Sequence, residues 1–157
     1  TGHLVFSTLH TNDAAGAITR LMEMGMENYL VSSSLIGILA QRLVRVVCPK
    51  CREEFAPSEE ALQEMQIPPG QWQEIRLVKG SGCEHCANTG FRGRTGIYEL
   101  LMIDDVIRHL ILSDSDSKTI KDTARQQGMQ TLRDAGWNKV RQQITTGSEV
   151  IRVTHVE

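Results

Sequence analysis

The sequence predicts an α/β fold that carries an inserted metal-binding module and ends in a helical region. Three observations lead there. All four cysteines of the 157-residue chain fall in two Cys-x-x-Cys pairs, Cys48-Pro49-Lys50-Cys51 and Cys83-Glu84-His85-Cys86. Upstream of them the apolar pattern reads strand, helix, helix, strand. Downstream it reads one apolar strand and then a series of helices. At 40% apolar, a chain of this length buries a real core as one domain, or as one domain with an appended module.

Residues 4–9 (Leu-Val-Phe-Ser-Thr-Leu) are a nearly continuous apolar run, the pattern of a strand covered on both faces of a parallel sheet. Thr11 or Asn12 then caps a helix predicted over 13–24, with Ala14, Ala17, Ile18, Leu21 and Met22 on one face and Gly25 as its stop. A second helix is predicted over 29–41, with Leu30, Leu35, Ile38 and Leu39 inward and Ser32, Ser33 and Ser34 as small residues for close packing. Residues 42–47 read as a strand that delivers the chain into Cys48. Between the cysteine pairs, Ser58 caps a short helix through about 65, Pro68-Pro69-Gly70 ends it, and 74–78 reads as a short strand. Arg92-Gly93-Arg94-Thr95-Gly96 is expected as a glycine-rich loop entering a strand over 97–103. Helices over 104–112, 116–127 (capped by Ser115 or Asp116) and 130–144 follow, then a last turn over 149–153 behind Thr146-Gly147-Ser148. The chain is thus expected to divide into 1–47, a module over 48–86, and 87–157.

The cysteine pairs carry the most specific chemistry. A two-residue spacer lets two thiolates of one tight turn reach the same metal, and two such turns complete a tetrahedral sulfur site of the structural zinc kind. Cys48, Cys51, Cys83 and Cys86 are therefore the candidate zinc ligands, with residues 52–82 between the two turns. Two disulfides, or four unrelated buried thiols, are the other readings of the same residues. His85 reads as a spacer, because four sulfurs already close the shell.

Composition excludes several function classes. Seventeen Lys and Arg against nineteen Asp and Glu leave a formal charge of −2, so there is no electrostatic footprint for nucleic acid. Only 4% of the residues are aromatic, which also argues against base-stacking platforms. No apolar run approaches the ~20 residues that span a bilayer, and no signal-peptide pattern is present. Thiols arranged for a metal suit a reducing compartment. The chain begins at Thr1-Gly2-His3, without Met, and is expected to be a piece of something longer.

Catalytic potential concentrates in residues 1–13. In open α/β sheets, ligands bind beyond the carboxyl ends of strands, where loops enter helix N-termini. His10 sits at such a place, ahead of Thr11, Asn12 and a helix start whose N–H groups favour anions. A lone His after a strand also fits a hydrogen-bonded structural residue, and His3 is a weaker candidate still.

Residues 1–12 (Thr-Gly-His-Leu-Val-Phe-Ser-Thr-Leu-His-Thr-Asn) closely resemble the histidine box of the secretion ATPase superfamily, the ring-shaped motors of type II secretion and type IV pili. The resemblance continues through Leu39-Ala40-Gln41-Arg42-Leu43, both cysteine pairs, and Gly90-Phe91-Arg92-Gly93-Arg94-Thr95-Gly96-Ile97-Tyr98-Glu99-Leu100, and so covers nearly the whole chain. The tetracysteine segment is similar to that of the type II secretion ATPase, the E component, and of pilus-assembly ATPases. The ending over 144–154 looks more like the secretion member.

The resemblance implies the C-terminal part of a RecA-like ATPase domain, in a hexameric cytoplasmic motor held at the inner-membrane secretion platform without being inserted in the membrane. It implies ATP and Mg as cofactors of the whole protein beside Zn, with His10 and His3 near the γ-phosphate. Arg92 and Arg94 are then candidate nucleotide or neighbour-subunit contacts, although two charges on a solvated turn read equally well. The sequence departs from the family where phosphate is gripped. None of the thirteen glycines is followed by Lys in a Gly-x-x-x-x-Gly-Lys loop, and the acidic boxes that place Mg are expected upstream of Thr1. The rival class is a non-enzymatic, zinc-stapled docking module for a membrane-anchored partner.

Overall fold

The computed structural model describes residues 2–155. Helices α1 (Ala14–Glu23) and α2 (Asn28–Ser34) lead into strand β1 (Gly37–Val47), and the excursion that follows holds β2 (Arg52–Phe55), α3 (Glu59–Glu64) and β3 (Leu77–Gly80). Strand β4 (Phe91–Met102) then returns, and α4 (Asp105–Leu112), α5 (Ser117–Gln126), α6 (Leu132–Arg141) and α7 (Gly147–Thr154) complete the chain. The expected mixture of helices and strands is present. The sheets are two pairs, β1 with β4 and β2 with β3. Ile103 N–H bonds the Ile36 carbonyl (3.0 Å) at one end of the first pair and Cys48 N–H bonds the Gly90 carbonyl (2.9 Å) at the other, so β1 and β4 run antiparallel. β2 and β3 are antiparallel as well, with Arg52 opposite Gly80 and Phe55 opposite Leu77.

The chain forms two compact units, residues 1–40 with 99–129 and residues 41–98 with 130–157. In the first, Ala14, Ala15 and Ile18 of α1 and Val31 of α2 bury against Leu101, Ile103, Ile107, Ile111, Ile120 and Ala124. In the second, Leu62, Met65, Ile67 and Leu77 of the excursion pack with Trp137 and Val140 of α6 and Val150 of α7. The N-caps are local and strong: Asp13, Ser58, Asp104, Asp116, Thr131 and Thr146 each accept from a backbone N–H of the helix they open. Asp13, one residue past the expected caps, opens α1, and Gly25 at φ 89° closes it. No helix among the described residues is long and apolar enough to cross a membrane.

Four expectations are corrected. Residues 4–9 form no strand; Leu4, Val5 and Phe6 are 66%, 77% and 88% exposed. A doubly covered parallel strand exists only between neighbours, and no described strand pairs with this segment. The second helix ends at Ser34 instead of running through 41, because the residues from Gly37 onward are drawn into pairing with β4. Ser32 and Ser33 hydroxyls both return to the Tyr29 carbonyl, at 3.1 and 2.7 Å, a back-bonding that weakens a helix. The strand expected over 74–78 lies at Leu77–Gly80, in register with β2. Finally, the segment expected as a loop at 92–96 belongs to β4 itself, with only Gly93 (φ 81°) leaving extended geometry.

Candidate metal centre and histidine segment

Cys48 follows the last residue of β1, Cys51 precedes β2, and Cys83 caps a 3₁₀ turn over Glu84–Cys86 that ends in Cys86. The two arms cross where Gly80 meets Gly90: a Cβ on Gly80 would stand 2.0 Å from the Gly90 carbonyl oxygen, so only glycine fits. This close approach brings all four sulfurs within 4.8 Å of one another. The Cys48–Cys83, Cys51–Cys86 and Cys83–Cys86 separations are 3.9, 3.8 and 3.7 Å. A tetrahedron with Zn–S arms of about 2.3 Å has edges of about 3.8 Å, whereas a disulfide places its sulfurs about 2.05 Å apart. The cysteines are free thiols at tetrahedral spacing, and the donor set fits zinc.

The surroundings favour thiolate at one corner. Burial pushes the Cys51 thiol up to about 12, aided by the neighbouring thiols and opposed by the Gly82 N–H. At Cys86 burial also opposes ionisation, but N–H groups of Cys83 and Gly90 point at its sulfur (3.3 and 3.2 Å) and hold it at about 6. A cation that accepts four sulfurs replaces the protons this cluster otherwise has to keep. His85 is exposed and its ring lies outside the sulfur cluster; its carbonyl accepts from the Arg92 guanidinium.

His3 and His10 are exposed on the segment ahead of α1; Thr1 lies outside the described residues. The helix start behind His10 is not an open anion site. Asp13 Oδ1 accepts from Gly16 N–H (2.9 Å) and Glu99 Oε1 accepts from Ala14 N–H (2.8 Å), so protein carboxylates already occupy donors that a phosphate would use. Lys121 Nζ, 2.6 Å from Asp13 Oδ2, fixes the cap from α5. Glu99 is 1% exposed, between buried Ile97 and Leu101 on the alternating inner face of β4. Sequence reasoning passed over it, although a single acid inside an apolar strand is a signal.

Arg92 and Arg94 are not brought together. Arg92 turns to the second cysteine pair, whereas Arg94 borders a cleft with Leu43, Arg45 and Arg152. Arg45 and Arg152 were also missed. Both grip Glu149, whose side chain is 2% exposed, Arg45 at 2.6 Å and Arg152 through two bonds of 2.9 and 3.0 Å. In sequence Glu149 looks like any acid in a helix's first turn. These guanidinium bonds, Arg152 foremost, hold its carboxyl far below the usual carboxylate range, and Glu149 in turn raises both arginines.

Comparison with known proteins matches residues 1–152 to the family model described as type II/IV secretion system protein. The chain is 52% identical over 154 residues to the type IV pilus assembly ATPase PilB of Thermus thermophilus, covering 98% of this chain and 17% of that protein. It is 47% identical over 154 residues to the type II secretion system ATPase E of Vibrio cholerae, covering 98% of this chain and 30% of that protein. With the type II secretion system protein E of Pseudomonas aeruginosa the identity is 48%, over all of this chain and 31% of the relative. The chain therefore spans less than a third of the length of these relatives. By its family-model match and these identities, it belongs to the type II/IV secretion system protein family.

Proposed function

We propose that the chain is the C-terminal part of a RecA-like ATPase domain in a hexameric motor that powers type II secretion, with zinc bound by Cys48, Cys51, Cys83 and Cys86. The observation that carries this reading is identity of 47–52% along nearly the whole chain to proteins named for ATP-driven secretion or pilus assembly. The pilus-assembly role is the second reading, favoured by the 52% identity to a pilus assembly ATPase. In either machine ATP and Mg bind chiefly through a phosphate loop outside this sequence. His10, with His3, faces the γ-phosphate, where phosphoryl transfer asks for positioning and charge stabilisation and not for a nucleophile. Zinc here is structural. It ties residues 48–86 into a unit on the motor, which sits at the cytoplasmic face of the inner membrane and docks on its secretion platform.

The test compares phosphate release by the whole protein with that of the 157-residue chain alone. Turnover by the whole protein and none by the chain is the expected result, because this sequence contains no Gly-x-x-x-x-Gly-Lys loop to hold the β- and γ-phosphates. A whole protein that binds its partner but never hydrolyses ATP would make this a docking module instead.

A further inference from the structure

Three guanidinium groups, those of Arg45, Arg94 and Arg152, line one open cleft of about 460 Å³ in the unit formed by residues 41–98 and 130–157. Among the described residues one carboxylate serves them. Glu149 is bonded to Arg45 and Arg152, and no carboxylate lies within ion-pair distance of Arg94 among the described residues. Three positive charges against one among the described residues leave an excess of two, and the fold holds two of the three arginines in place. Arg45 is pinned three ways: its backbone N–H and its guanidinium both bond Glu149 (3.0 and 2.6 Å), and its guanidinium stacks 4.3 Å over the Phe91 ring. Arg152 is clamped by its bidentate bond to the same carboxylate. Like charges fixed side by side repel, and the charge of Arg152 opposes the hold of Glu149 on Arg45. Both arginine side chains remain about half exposed, at 44% and 57%.

We propose that this cleft is a binding site for a phosphate chain, with Arg94 as its principal contact and Arg45 and Arg152 as preoriented flanking donors. Guanidinium forks match phosphate oxygens in pairs, and forks already held by a buried carboxylate lose little freedom on binding. Among the described residues Leu43 is the one apolar lining residue and no aromatic ring lines the cleft, so the described lining offers no stacking surface for a nucleobase. The site therefore reads the phosphates and ignores the base. It is separate from any phosphate loop, and it stands whether or not the whole protein hydrolyses ATP.

The experiment is calorimetric titration of the zinc-loaded chain at near-physiological salt with tripolyphosphate, ATP, ADP and inorganic phosphate. Tripolyphosphate and ATP are expected to bind alike, ADP more weakly and phosphate least. Arg94→Ala is expected to weaken tripolyphosphate binding roughly tenfold or more, with Arg94→Lys between it and the unaltered chain. Arg94 is exposed, so its truncation is expected to spare the fold, and an unchanged melting temperature checks this. Arg125→Ala, on α5, is the control for lost charge alone. Binding that Arg94→Ala and Arg125→Ala weaken equally would reduce the effect to net charge and overturn the proposal. So would ATP binding without tripolyphosphate binding, or no binding at all.

Discussion

Glu99 reaches across 85 positions of sequence to accept the backbone N–H of Ala14 at 2.8 Å, and so ties the middle of β4 to the first residue of α1. The bond is buried, and His10 lies four positions before the first residue of the helix that the bond anchors. Replacing Glu99 with Ala leaves that N–H without its acceptor in a dry place, at a cost of about 1–3 kcal/mol. Glu99→Gln keeps an oxygen acceptor and should lose less. A lower melting temperature together with faster amide exchange across α1 is the expected result, and unchanged exchange in α1 would refute the assignment.

Zinc is expected at one ion per chain. Structural zinc contributes on the order of 10–16 kcal/mol of apparent binding energy, so chelation should raise amide exchange over residues 48–86. The unit of α1, α2, α4 and α5 has its own apolar core and should stay protected. Metal analysis of protein made under reducing conditions provides the first check, and Cys83→Ser should abolish stoichiometric binding.

Glu149 makes stability depend on acid. Its carboxyl is held below the ordinary range by Arg152 and Arg45, so the unfolded chain binds a proton first as pH falls below about 4.3. Its contribution is complete above that pH and is lost progressively below it. In Glu149→Gln the melting temperature near neutral pH should drop, and the acid-side slope should flatten. A variant with the same slope as the unaltered chain would mean that another carboxylate carries the effect.

His10 is exposed, so His10→Ala should shift stability within about 0.5 kcal/mol. If His10 orients water or senses the γ-phosphate in the whole protein, kcat should fall roughly 10²- to 10⁴-fold while KM for ATP changes little. Early melting with normal turnover would return His10 to the scaffold. Both quantities are measured on one preparation.

Local chemistry was legible in the sequence wherever it was also local in space. The cysteine pairs, the Ser58 and Asp116 caps and the helices after residue 103 need only neighbours a few positions away. What escaped was set by distant partners. Residues 37–41 contain Leu, Ala and Gln, good helix formers, yet pairing with β4 makes them strand. Glu99 and Glu149 differ from surface acids only in what lies 85 and 104 positions away. Arg92 and Arg94 sit two apart, as if on one face, but Gly93 at φ 81° breaks the alternation between them and sends them to different neighbours.

The division of the chain bears on how it is made. Passing from residue 40 to 41, from 98 to 99 and from 129 to 130, the polypeptide changes unit each time, so neither unit is one continuous stretch. During synthesis the first unit has all its parts once residue 129 has emerged, while the second waits for the helices after it. Residues 41–98 therefore wait with the part of their core that α6 and α7 supply still unmade. A bound metal at the cysteine pairs, available as soon as Cys86 emerges, would give that waiting segment early order.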